Sequence, residues 1–165
     1  MANTALKGNP VHTSGDLPAV GSQAPAFSLV AADLSEKSLS DYSGKKVVLT
    51  INPSYDTGVC QATARRFNKE LGERGDVAVL MVSADLPFAQ KRFCEAEGIE
   101  NIAPLSSFRS SFASDYGVDL VDGPLKGLTA RALVVVDQEG KVAFTQLTSD
   151  ITEEPDYAGA LAALG

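Results

Sequence analysis

The stretch Val47-Val48-Leu49-Thr50-Ile51-Asn52-Pro53-Ser54-Tyr55-Asp56-Thr57-Gly58-Val59-Cys60 decides how the chain is read. Its first five residues are almost wholly apolar, which predicts a strand buried on both faces. Pro53 fixes the backbone and removes one N–H donor, so the strand ends there. From Gly58 to Leu71 the pattern is helical, closed by Gly72 and Gly75, and Thr57 suits the N-cap. Cys60 therefore falls in the first turn of a helix that follows a buried strand. Such a turn presents unpaired N–H groups and partial positive charge, which favour a thiolate over a thiol. The thiolate is the nucleophile, so the junction reads as one built to attack with sulfur.

Working outward, Thr4–Lys7 and Val11–Thr13 read as a short hairpin turning at Gly8-Asn9. Phe27–Val30 alternates like a strand, and residues 40–46 form a turn region. Val77–Val82 and Ala132–Val136 are two further buried strands, and Val142–Gln146 returns beside the latter after a turn at Gly140. Helices are expected from Pro87 to Glu97, ended by Gly98, from Ser110 to Tyr116, and from Pro155 to about Leu164. Buried strands separated by helices predict an α/β sandwich with parallel neighbours, and the hairpin at Gly140 adds an antiparallel member. The order of elements is that of a thioredoxin-like fold: a central mixed sheet flanked by helices, preceded by an N-terminal β-hairpin. The 165 residues are expected to form a single domain, residues 1–165.

The apolar fraction of 44% and charged fraction of 21% are ordinary for a soluble globular protein. A formal charge of −7 argues against a nucleic-acid surface, which needs a basic face. No segment has the length and apolarity of a membrane span, and the residues before Leu17 lack a signal-peptide pattern. The expected location is therefore the cytoplasm. Two cysteines and one histidine are too few for a structural zinc site. His12 is read as structural or solvated.

Magnitudes say what else a thiolate site needs. Bringing a thiol from its free value of about 8.5 to about 6 takes about 3.4 kcal/mol. A helix terminus contributes about 0.3–1 kcal/mol, and about 2 at best. A cation must therefore stand close by. Arg131 opens a buried strand after the loop Asp122–Ala130, and a buried arginine has to face a partner. It is the leading candidate, against a simple salt bridge at the core edge. Arg65 and Arg66 on the helix are read as solvated or structural. Thr57 has a second reading besides the cap, a hydrogen bond to the sulfur or to a substrate oxygen. Cys94, in the second helix, has three readings: a small buried apolar residue, a structural disulfide partner, or a resolving thiol that condenses with an oxidised Cys60.

Two other motifs are weighed and set aside. Cys60 and Arg66 have the Cys-x5-Arg spacing of a cysteine phosphatase, but Gln61–Arg65 reads as helix and lacks the glycines of an anion-cradling loop. Asp56-Thr57-Gly58 has the triplet of an aspartic protease, whose chemistry needs a second such carboxylate.

At these residues the chain closely resembles the peroxiredoxins, specifically the bacterial thiol peroxidase subfamily. Pro53, Thr57 and Cys60 match the pattern Pro-x-x-x-Thr/Ser-x-x-Cys, and Arg131 matches the distant arginine. The run Ser83–Gln90 with Arg92-Phe93-Cys94 is similar to the resolving segment. Asp122–Leu128, the Gly8-Asn9-Pro10 hairpin and Glu154–Tyr157 extend the resemblance over essentially the whole chain. One departure is Asn52, where the pattern has an apolar residue before Pro53. The resemblance implies a homodimeric enzyme that reduces hydrogen peroxide and organic hydroperoxides. It implies Cys60 as peroxidatic, Cys94 as resolving within one chain, thioredoxin as reductant, and no metal or organic cofactor. The alternative reading is a non-enzymatic redox sensor that uses the same cysteine pair.

Overall fold

Alternation along the apolar runs builds a sheet with two covered faces. The computed structural model describes residues 1–165. The elements are β1 (Asn3–Leu6), β2 (Asn9–His12), β3 (Ser28–Ala31), β4 (Glu36–Ser38), β5 (Lys46–Ile51), α1 (Gly58–Leu71), β6 (Val77–Ser83), α2 (Pro87–Glu97), β7 (Ala103–Ser106), α3 (Phe112–Asp115), β8 (Ala132–Val136), β9 (Val142–Leu147) and α4 (Tyr157–Leu164). Strands β1 and β2 form a separate hairpin, and the other seven form one sheet in the order β4-β3-β7-β6-β5-β8-β9. Val48 of β5 packs with Phe67, Leu71, Phe93 and Tyr157 from the helices on one face. Val47, Leu49 and Ile51 pack with Phe27, Phe112 and Tyr116 on the other. This is the mixed, helix-flanked sheet expected of a thioredoxin-like fold.

Strands β5, β6 and β7 run parallel, as βαβ units require, through α1 and α2. β8 does not follow the expected parallel rule and pairs antiparallel with β5. The cause lies in its connection. After β7 the chain makes only the four-residue α3 and an irregular loop, with no long helix to carry it back along the sheet. It re-enters from the end at which β5 leaves, and so it runs the other way.

Other boundaries shift for local reasons. The hairpin turns at Lys7-Gly8, not Gly8-Asn9: both have positive φ (50° and 82°) and Leu6 pairs with Asn9. A two-residue type I′ turn needs that backbone at both central positions. β3 begins one residue later than expected and pairs with β4, in a region without apolar alternation. β7 was not expected because Pro104 interrupts its sequence. It survives through parallel pairing with β6, and through an antiparallel pairing with β3 that skips Pro104. α3 is confined to Phe112–Asp115 and α4 starts at Tyr157 behind an Asp156 cap.

The hairpin is tied down at two points. Lys7 and Gly8 donate backbone N–H bonds to Asp150 at 3.2 and 2.8 Å. His12 meets Asp122 through its backbone N–H and its ring Nδ1, the latter at 2.6 Å, which agrees with a structural histidine. The hydroxyl and amide of Thr152, followed by the Gly8 amide, hold the Asp150 carboxyl below its ordinary value. A carboxyl held low in the folded chain stabilises it above its unfolded value of 3.8, and that contribution fades as pH falls further. Asp150→Asn is therefore expected to lower Tm at pH 7. The gap to the unmodified chain should narrow once the pH drops below 3.8, and thermal melts across pH 2–7 check this.

Candidate active site

The antiparallel entry of β8 assembles the site. Ile51 is paired with Ala132, so the next residues off the sheet are Asn52 on one strand and Arg131 on the other. Arg131 is 2% exposed and Cys60 is 0% exposed. The Arg131 guanidinium donates from Nη1 to Cys60 Sγ at 3.0 Å and to Asn52 Oδ1 at 3.1 Å. Its Nε donates to the Ile151 carbonyl at 2.8 Å. Both Thr148 N–H and Thr148 Oγ1 donate to the Arg131 carbonyl, at 3.1 and 3.2 Å.

Cys60 is delivered by α1. Its buried residues Cys60, Ala64, Phe67 and Leu71 fall on one stripe at helical spacing. The helix is capped by Thr57, whose hydroxyl accepts from the Cys60 N–H at 3.4 Å and donates to the Ser54 carbonyl at 3.0 Å. The Gly58 and Val59 amides, in the orphan first turn, have no protein acceptor. Helix end and guanidinium both place positive charge at the sulfur.

Pro53, Thr57, Val59 and Arg131 line a groove of about 630 Å³, walled on its far side by Leu6 of the hairpin and Leu125 of the loop before β8. Its surface is mostly apolar, with polar side chains from Thr57 and Arg131 on the cysteine side and from Lys7, Asn9 and Thr152 on the other. A second cavity, about 440 Å³, lies at the other end of the sheet around Lys45, Val47 and Asp137 and contains neither cysteine. No three His, Cys, Asp or Glu side chains converge as a metal site would need.

Four of the five expected site residues, Pro53, Thr57, Cys60 and Arg131, come together. Cys94 stands apart. It is a half-buried free thiol on α2 and lines a different cavity of about 350 Å³ with Lys91 and Pro104. Burial, reinforced by the neighbouring Glu95 charge, pushes its thiol up to about 11. Tyr55 is close to both cysteines. It is fully buried, its ring meets that of Phe93 at a tilt with centroids 5.0 Å apart, and it is within electrostatic reach of both sulfurs. Arg65 and Arg66 are elsewhere: Arg65 pairs with Glu97 of α2 at 2.8 Å, and Arg66 with Glu70 at 3.1 Å and the Tyr157 ring.

Two residues escaped the sequence reading. Asn52 anchors the guanidinium, and the only signal was a polar residue where an apolar one was expected. Asp85 joins the two cysteine-bearing segments. Its carboxylate accepts from Ser54 Oγ and the Tyr55 N–H in the loop before Cys60, at 2.9 and 2.7 Å, and from Ser83 Oγ on its own side at 2.9 Å. Nearby, Gln90 of α2 donates through Nε2 to Ser83 Oγ and the Leu105 carbonyl, while its buried Oε1 has no donor.

Known proteins share this architecture. The Redoxin family profile matches residues 19–161. Thiol peroxidases of Mycobacterium tuberculosis and Corynebacterium glutamicum are 54% and 53% identical to the chain, covering 100% and 99% of it and 99% of their own lengths. A peroxiredoxin-like protein from Aquifex aeolicus superposes with a TM-score of 0.93 at 42% identity, over 99% of this chain and 96% of that one. A thiol peroxidase from Chromobacterium violaceum shares the fold, with a TM-score of 0.87 at 23% identity over 98% of this chain and 94% of that one. The chain therefore belongs to the redoxin family, among its thiol peroxidases.

Proposed function

We propose that the chain reduces hydrogen peroxide and organic hydroperoxides with Cys60 as the attacking thiol and Cys94 as the resolving one. The observation that carries this reading is the 3.0 Å contact between Arg131 Nη1 and Cys60 Sγ at the head of α1. The Cys60 thiolate attacks one peroxide oxygen in line with the O–O bond. An S–O bond forms, the O–O bond breaks, and the leaving oxygen departs as water or alcohol after taking a proton. Cys60 is left as a sulfenic acid.

The surrounding groups have unused capacity of the right kind. Arg131 Nη2 has no protein acceptor, and the residue lines the groove, so its two N–H groups are free for the peroxide oxygens. Thr57 Oγ1 has one lone pair left after its two bonds, enough to accept from the peroxide O–H. The Gly58 and Val59 amides stabilise charge developing on the leaving oxygen. Pro53 bounds the groove without adding a competing donor.

Cys94 then attacks the sulfenic sulfur. The S–S bond forms, the S–O bond breaks, and water leaves. The two sulfurs sit on separate helices, Cys60 enclosed in the core and Cys94 at a separate cavity, so the first turn of α1 and part of α2 must unwind. Unwinding also relieves the burial that keeps Cys94 protonated. A thioredoxin-type dithiol reduces the disulfide, consistent with a reducing cytoplasm as the site of action. A homodimer is proposed on the exposed apolar side chains Leu86, Phe88 and Phe108.

Cys60→Ser is expected to abolish peroxide consumption. Cys94→Ser should still consume about one equivalent per chain but not cycle with thioredoxin. A stoichiometric sensor would stop at one equivalent even with both cysteines present, so steady-state turnover of the unmodified chain separates the readings. Arg131→Gln should slow the peroxide reaction by roughly 10²–10³, read by stopped-flow kinetics. Disulfide formation after a single oxidation should accelerate with pH and level off near the free-thiol value of about 8.5, because Cys94 attacks from an opened helix. A rate still climbing toward pH 11 would mean attack from the folded state.

A further inference from the structure

A buried guanidinium usually faces a carboxylate, yet none of the ion pairs in this protein involves Arg131. Its fixed partners are neutral oxygens, the Ile151 carbonyl and Asn52 Oδ1. Asn52 is itself fully buried and held on every side. Its Nδ2 donates to the Thr50 carbonyl at 2.9 Å and makes a longer contact to Thr50 Oγ1. Its backbone N–H donates to the Val82 carbonyl, and its carbonyl accepts from Thr129 Oγ1 at 2.8 Å. With Nδ2 committed to Thr50, the amide orientation is set and Oδ1 must face Arg131.

We propose that Asn52 is a positioning residue for the thiolate attack, aiming Arg131 at Cys60 while leaving the guanidinium charge uncompensated. The proposal rests on the peroxidase reading. One hydrogen of Nη1 goes to Asn52 and the other to Cys60, so the amide fixes the direction of the bond to sulfur. A carboxylate in the same place would hold the arginine equally well, but it would add a second anion beside the thiolate and compete for the same cation. An apolar side chain would leave the charge intact but the Nη1 hydrogen unheld. An amide meets both requirements, directing the donor and carrying no net charge.

The test uses reduced full-length protein with Cys94→Ser, so that Cys60 is the sole thiol. Iodoacetamide alkylation is followed against pH, alongside the rate with hydrogen peroxide at pH 7, for the parent, Asn52→Asp and Asn52→Leu. Asn52→Asp, close in shape, is expected to move the alkylation midpoint up by about one unit or more. Asn52→Leu is expected to slow the peroxide reaction by about tenfold or more through lost aim. A residue that merely fills space predicts the opposite order, with the near-isosteric Asn52→Asp the milder change and the alkylation profile unmoved. An unmoved midpoint in Asn52→Asp overturns the proposal. So does a parent-like peroxide rate in Asn52→Leu, which decides the matter alone should Asn52→Asp not fold. Alkylation needs no peroxide, so a failure of the peroxidase reading would be seen separately in the parent.

Discussion

The close approach of Arg131 to Cys60 is the constraint on which the site rests. Neither group readily carries a charge there without the other. A buried cation lacking a counter-charge costs several kcal/mol, and a buried thiol in apolar surroundings stays protonated. At 3.0 Å each removes the penalty of the other, provided the sulfur gives up its proton. Helix α1 adds its N-terminal field at the same atom. The pair also excludes alternatives: Cys60 packs with Tyr55, Ala64 and Phe67 in the core, so the sulfur is poised but closed to anything that does not enter beside the guanidinium.

The fold exists around this meeting. Parallel strands β5 and β6 create the crossover that launches α1 from the end of β5. Antiparallel β8 brings its first residues to that same end. A parallel β8 would begin at the opposite edge of the sheet and carry Arg131 away from Cys60. The hairpin and the loop before β8, tied by Asp150 and Asp122, then close the outer wall of the groove. Their ties are exposed and electrostatic, whereas the inner wall is the hydrophobic core. The site therefore has a rigid floor and a softer rim.

The floor was readable in the sequence, and the reasons are local. Apolar runs, the Thr57 cap and the Gly72 stop announce strand, loop and helix within 26 residues, Val47 to Gly72. Arg131 was legible because an arginine abutting a buried strand must face something. The direction of β8 was not readable, since it depends on what the 107–131 connection does in space and not on the strand's own pattern. β7 was hidden because Pro104 weakens its intrinsic preference, which pairing with β6 on one side and β3 on the other overrides. Asn52 and Asp85 are single polar residues whose partners lie dozens of positions away, and no spacing encodes such contacts. Asn52 stood out only as a misfit, and that misfit proved to be the anchor of the cation.

The lone buried acceptor on Gln90 bears on how readily α2 lets go. An unpaired polar atom in the interior is a standing penalty of about 1–3 kcal/mol, which water cancels once the helix is solvated. Part of the energy of melting that segment is thus returned by hydration of one amide oxygen. The element carrying the second sulfur is built with a flaw that lowers its own resistance to opening.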